Sequence, residues 1–168
     1  MCTDYLLIMQ KSKKIILFDI DNTLFNTLRF KQTNFTIFSL YEEVYKTLEE
    51  LSKIADLGIF SEGEIGFQKE KLLQTNIEKY FLKEHTYIFP EKIKALEDTF
   101  RKYGTDNQLF LIDDKLAILP PIKKEFPSVF TIWIKRGEYA HSQKPIEGFS
   151  PDAIVETLQD IVPLITDR

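Results

Sequence analysis

Lys14-Ile15-Ile16-Leu17-Phe18-Asp19-Ile20-Asp21-Asn22-Thr23-Leu24 is the stretch that decides how this chain is read. Ile15 to Phe18 form a continuous apolar run, the pattern of a strand buried on both faces. The run ends in two carboxylates one residue apart, followed by Asn22 and Thr23. In open α/β sheets, ligands collect at the carboxyl ends of the strands, which is where Asp19 and Asp21 fall. A bend just after Asp19 is expected to turn both towards one ligand.

Working outward, Ile37 to Ile54 has Ile37, Leu40, Tyr41, Val44, Tyr45, Leu48 and Leu51 at helical spacing, with Glu42, Glu43, Lys46, Glu49 and Glu50 on a solvated face. Ala55 to Phe60 reads as a second buried strand, ending in Ser61-Glu62-Gly63-Glu64. A serine there often caps a helix. At the tip of a central strand, its hydroxyl and the neighbouring backbone N–H of Glu62 also suit anionic oxygens. Phe67 to Lys83 reads as helix in one or two pieces and Thr86 to Phe89 as a short strand. A helix follows Pro90 from Glu91 to Tyr103, with Gly104 as its stop. Gln108 to Ile112 is the next buried strand and ends in Asp113-Asp114, an oxygen-rich pair of the kind that suits Mg²⁺. Pro120-Pro121 interrupts the helix expected after it. Val129 to Ile134 is the last central strand, and Ser150-Pro151-Asp152 opens a final helix to Val162. Residues 1–13 read as an extra edge strand or a loose lead-in. The strand–helix alternation predicts an α/β fold: a doubly wound, Rossmann-like parallel sheet with helices on both faces.

Composition narrows the function classes. At 168 residues, with 43% apolar and 29% charged, the chain is expected to be one domain, residues 1–168. A net charge of −4 supplies no global basic field, so general affinity for nucleic acid is not expected. No apolar run approaches a membrane span, and Tyr5 to Met9 is too short for a signal-peptide core. The one cysteine, Cys2, has no internal disulfide partner, which fits a reducing, cytoplasmic setting. The 14 Phe and 7 Tyr read as a Phe-rich core, and His85 and His141 as surface and loop residues.

The ordered set resembles the haloacid dehalogenase-like (HAD) superfamily, whose nucleophile motif reads Asp-x-Asp-x-Thr after a hydrophobic strand. Asp19, Asp21 and Thr23 match it, Ser61 matches the second motif, and Asp113-Asp114 matches the fourth in its Asp-Asp variant. Gln68, Lys71 and Leu72, then Ile77, Tyr80 and Phe81, resemble the run that follows motif two. The resemblance implies a charge-neutralising lysine near the start of the helix after Pro90. Lys92 and Lys94 both qualify, and Lys92 is favoured because it directly follows Pro90-Glu91. It further implies a Mg²⁺-dependent phosphatase in which Asp19 attacks phosphorus and Asp21 is the acid and base. Thr23 would brace the loop, Ser61 and the Glu62 backbone would hold the phosphoryl oxygens, and Lys92 would pair with charge. The metal would take Asp19, Asp114, the carbonyl of Ile20 or Asp21, and Asp113 as a second ligand or outer partner. The family's further acid after Asp114 is absent, replaced by Lys115 to Ile118.

Thr23 to Ile37 and Ser61 to Lys92 leave no room for a folded cap, so no separate cap domain is expected. Uncapped relatives act on large substrates or borrow a lid from another subunit. The implied substrate is a phosphorylated small molecule or macromolecule. Two other readings compete. One is a non-catalytic HAD-like module binding a phosphorylated or protein partner. The other is a receiver domain, disfavoured because the strands ending at Ser61 and Phe89 offer no acceptor aspartate.

Overall fold

A computed structural model describes residues 13–168. The expectations for residues 1–12 and for Cys2 lie outside the described residues. The frame is a six-stranded sheet: β1 (Lys14–Phe18), β2 (Asp56–Glu62), β3 (Thr86–Phe89), β4 (Gln108–Asp113), β5 (Phe130–Ile134) and β6 (Ala153–Val155). Every pairing is parallel and the spatial order is β3-β2-β1-β4-β5-β6. The order reverses between β1 and β4, so a crevice opens at their carboxyl ends. Register places Phe18 beside both Ile59 and Ile112. The next residue, Asp19, donates its N–H to the Ile112 carbonyl at 2.9 Å.

Alternation along the strands splits the core in two. Ile16, Phe18, Ile59 and Ile112 face helices α2 (Val44–Leu51), α3 (Ile65–Gln74) and α6 (Ile161–Thr166). Ile15, Leu17, Phe60 and Leu111 face α4 (Leu96–Phe100) and α5 (Leu119–Glu125). The doubly wound arrangement is therefore as expected. Its consequence for the site is a matter of parity: Asp19 and Asp113 share the α4–α5 face with Leu17 and Leu111, whereas Ser61 shares the α3 face with Ile59.

Local boundaries differ from expectation where tertiary bonds outweigh periodicity. The helix expected from Ile37 begins only at Val44, because its first turn is recruited into a hairpin. Phe25 bridges Leu40, Asn26 donates to the Ser39 carbonyl and Tyr41 to the Leu24 carbonyl. The hairpin encloses a short helix, α1 (Thr27–Gln32). Phe25, Phe30, Phe38 and Phe67 stack together there, so much of the phenylalanine content is indeed packing.

Helix α3 stops early, at Gln74, because Asn76 adopts φ 54°. Asn76 donates to the Leu73 carbonyl and Ile77 to the Leu72 carbonyl, the paired bonds of a Schellman stop. Beyond it Glu78–Tyr80 and Lys83–His85 are single 3₁₀ turns. Pro120-Pro121 lies in the first turn of α5, where no N–H is needed, and starts that helix rather than interrupting one.

The expected final helix from Ser150 is also corrected. Asp152 caps no helix; it accepts from the N–H and hydroxyl of Thr131, both at 2.8 Å, and from Lys123. That anchors β6 alongside β5, and helix resumes only at α6. His85 is likewise half-buried rather than surface, with its Nδ1 3.2 Å from the Tyr103 hydroxyl.

Candidate active site

The loop leaving β1 is built by its own backbone. The Ile20 carbonyl accepts from the N–H groups of Thr23, Leu24 and Phe25. Asn22 adopts φ 57°, the left-handed region that asparagine tolerates better than most residues. Since Ile20 is so engaged, the Asp21 carbonyl is the better placed of the two for a cation. Thr23 is fully buried, but its hydroxyl has no partner among the described residues; it braces the loop through its backbone.

Three carboxylates converge at the mouth of β1 and β4. Asp19, Asp113 and Asp114 are all buried, and each offers an oxygen within 4.8 Å of the others. Lys92, with no exposed surface, donates from Nζ to Asp19 Oδ1 at 2.7 Å and to Asp113 Oδ2 at 2.5 Å. Lys94, the alternative lysine, is exposed and pairs with Glu91. Asp113 is doubly engaged, because its Oδ1 also accepts the Lys115 N–H at 2.9 Å. Asp114 receives only Asn22 Nδ2, at 3.2 Å on Oδ2, and its Oδ1 is buried with no partner among the described residues. Asp114 is thus the freer ligand.

The Asp21 carboxylate stands apart from this cluster. It accepts from Lys71 at 2.7 and 2.8 Å, Gln68 at 2.8 Å and Thr27 at 2.9 Å. As a carboxylate it does not join the other three, which leaves its backbone as the only route to a shared cation. Ser61 is fully buried beside Gln68, 3.4 Å away. Glu62 gives its carbonyl to Gln68, and its side chain accepts from the Lys92 N–H and from Lys115.

Charge at the site is unbalanced. Burial, opposed by the Lys92 charge and reinforced by Asp113, pushes the Asp19 carboxyl up to about 6. Burial and the neighbouring Asp19 and Asp113 push Asp114 up to about 8. Lys92 is penalised by burial, yet the two carboxylates it touches raise it, so it stays cationic. For Asp21, burial acts upward, but the Lys71 charge and the three donors outweigh it and hold the carboxyl below its usual range.

The raised groups set a pH dependence. An acid whose folded pKa exceeds its unfolded value holds protons that the unfolded chain has released, so stability falls as pH rises between the two. With an ordinary value of 3.8, Asp19 and Asp114 place that window from about pH 4 to pH 8. Without divalent cations the melting temperature will fall across this range, and a cation held by the three carboxylates would flatten the decline. Thermal melts at pH 5 and pH 8, with Mg²⁺ and with EDTA, check both slopes.

Sequence reading gave Asn22, Gln68 and Lys71 no role at the site, and placed Arg136 only in a polar segment, Lys135 to Gly148, expected to border its entrance. Arg136, just past β5, donates to the Asn22 carbonyl at 3.1 Å, to the Thr23 carbonyl and to Glu43, and stacks on Tyr41. Gly137 lies so close that a Cβ there would stand 2.6 Å from the Asn22 side chain. The only signal for this clamp was a basic residue in the loop after the last central strand.

No protein-family model matches the sequence, and no curated protein matches it. Solved structures do. A haloacid dehalogenase-like hydrolase from Burkholderia xenovorans LB400 is 18% identical over 93% of this chain and 98% of that one, with a TM-score of 0.74. An L-2-haloacid dehalogenase is 13% identical over 92% and 99%, with a TM-score of 0.70. A predicted phosphoglycolate phosphatase from Haemophilus somnus 129pt is 15% identical over 93% and 99%, with a TM-score of 0.67. Among the described residues no helix is long and apolar enough to cross a membrane.

Proposed function

Because the chain has the fold of the haloacid dehalogenase-like hydrolases, we propose that it is a Mg²⁺-dependent phosphatase that carries the phosphoryl group on Asp19. One observation supports this reading above the others. A buried lysine touches two of three convergent carboxylates, while the third carboxylate keeps an oxygen with no partner among the described residues. Lys92 alone does not neutralise three acids, and hard oxygen donors of this kind suit Mg²⁺. Asp19, Asp114 and the Asp21 carbonyl would hold the ion, with Asp113 as outer partner. When bound, Mg²⁺ would screen the repulsion between nucleophile and phosphate and orient both.

The chain's own residues would do the rest. An Asp19 oxygen forms a bond to phosphorus as the ester P–O bond breaks, and Asp21, which must first leave its bond to Lys71 and take a proton from solvent, gives that proton to the departing oxygen. A water then attacks phosphorus, losing a proton to Asp21, and the P–O bond to Asp19 breaks to release phosphate. Ser61 and the Glu62 backbone bind phosphoryl oxygens, and Lys92 keeps Asp19 oriented and its charge balanced. Only one short helix, α1, lies between β1 and α2, and only α3 and two turns lie between β2 and β3. With no folded cap at either position, the reading takes in a phosphorylated macromolecule as well as a small molecule. Displacement of halide from carbon would use Asp19 but would leave Asp113 and Asp114 without a task.

Hydrolysis of an aryl phosphate with Mg²⁺ or EDTA, run beside halide release from a 2-haloacid, tests the proposal. Phosphate release that EDTA abolishes, with no halide release, is the expected result. Halide release alone would replace the phosphatase reading with a dehalogenase. Neither activity in a folded protein would favour the non-catalytic module.

A further inference from the structure

Helix α3 carries two buried polar side chains that the reaction above leaves unused, Gln68 and Lys71. The Lys71 ammonium contacts both oxygens of Asp21 and lies between two aromatic rings, 4.6 Å from the centre of Phe67 and 5.2 Å from that of Phe25. Among the described residues Asp21 is the one carboxylate within salt-bridge distance of it. Gln68 Nε2 adds a bond to Asp21 Oδ2 and another, at 2.6 Å, to the Glu62 carbonyl, tying the carboxylate to the end of β2. Thr27 holds the remaining direction from α1. Both carboxylate oxygens are thereby committed to the α1–α3 side.

Asp21 lies two residues from Asp19 on the same loop, next to a cluster of hard oxygen donors. A cation there would attract any carboxylate free to reach it. A carboxylate drawn onto the cation would tighten the metal and be lost to the leaving group. We propose that Lys71, assisted by Gln68, is a positioning residue that keeps the Asp21 side chain off the metal cluster. The inference rests on the metal and acid–base roles proposed above.

The two effects have opposite signs, which a merely structural role would not produce. In Lys71→Met, calorimetric titration with Mg²⁺ should show binding about tenfold tighter, or ~1.4 kcal/mol. The kcat for an aryl phosphate should fall ~100-fold with KM little changed. Lys71→Arg should stay near wild type on both measures. Combining Lys71→Met with Asp21→Asn should return the Mg²⁺ affinity to the wild-type value. Unchanged or weaker Mg²⁺ binding in folded Lys71→Met would overturn the inference. If Lys71→Met does not fold, Gln68→Leu takes its place, with a smaller tightening expected and an unchanged affinity overturning it. Wild-type protein that binds no Mg²⁺ would remove the metal reading and this inference together. Wild-type binding that neither variant alters would remove the inference alone.

Discussion

On the proposed mechanism, Asp19→Asn will cut phosphatase turnover by ~10⁴-fold or more, on the scale seen when a covalent nucleophile is removed. The amide is nearly isosteric and its oxygen still accepts from Lys92, so the fold survives. Loss of one buried negative charge also relieves the repulsion that raises Asp19 and Asp114. The melting temperature at pH 8 should therefore hold or rise while activity disappears. Steady-state kinetics beside a thermal melt separates the two effects. Activity within tenfold of wild type would show that Asp19 is not the nucleophile.

Lys92→Met should be the most damaging single change to stability. It leaves Asp19 and Asp113 buried without their cation, and breaking a buried ion pair from one side typically costs about 3–5 kcal/mol. For a chain of this size that corresponds to a fall in melting temperature on the order of 10 °C. Lys94→Met, two residues away, removes an exposed pair with Glu91 and should change stability by less than ~0.5 kcal/mol. Lowering the pH towards 5 protonates the abandoned carboxylates and should restore part of the loss in Lys92→Met. Urea unfolding of both variants at pH 5 and pH 8 makes the comparison. Equal effects from the two lysines would refute the central placement of Lys92.

The sheet was legible because its strands are short apolar runs that end in polar residues, as at Phe18-Asp19 and Ile112-Asp113. Such runs report burial on both faces whatever packs on them. Strand β6 was hidden because Ala153, Ile154 and Val155 are too few to show a period. Its anchor, Asp152, looks like a helix cap until Thr131 is known to lie beside it. The loop after β1 and the acid pair after β4 were legible for the same reason as the strands. Lys92 could not be separated from Lys94 by sequence alone, since the difference lies in which way one 3₁₀ turn points after β3. Arg136 and Lys71 were out of reach because their partners sit 113 and 50 residues away, and nothing local marks a basic residue as a clamp.

That separation bears on how the protein is made. Asp19 is synthesised well before Arg136, so the Asn22 and Thr23 carbonyls must wait for Arg136, and the left-handed turn waits for Gly137 to lie against it. Contacts this distant in sequence are slow to close. A ribosome-bound chain that has exposed β1 to β4 would already hold Asp19, Asp113 and Asp114, yet the loop after β1 would be unfastened. The loop that carries Asp19 and Asp21 is therefore fastened only after β5 has been made, which ties the geometry of the site to the completion of the sheet.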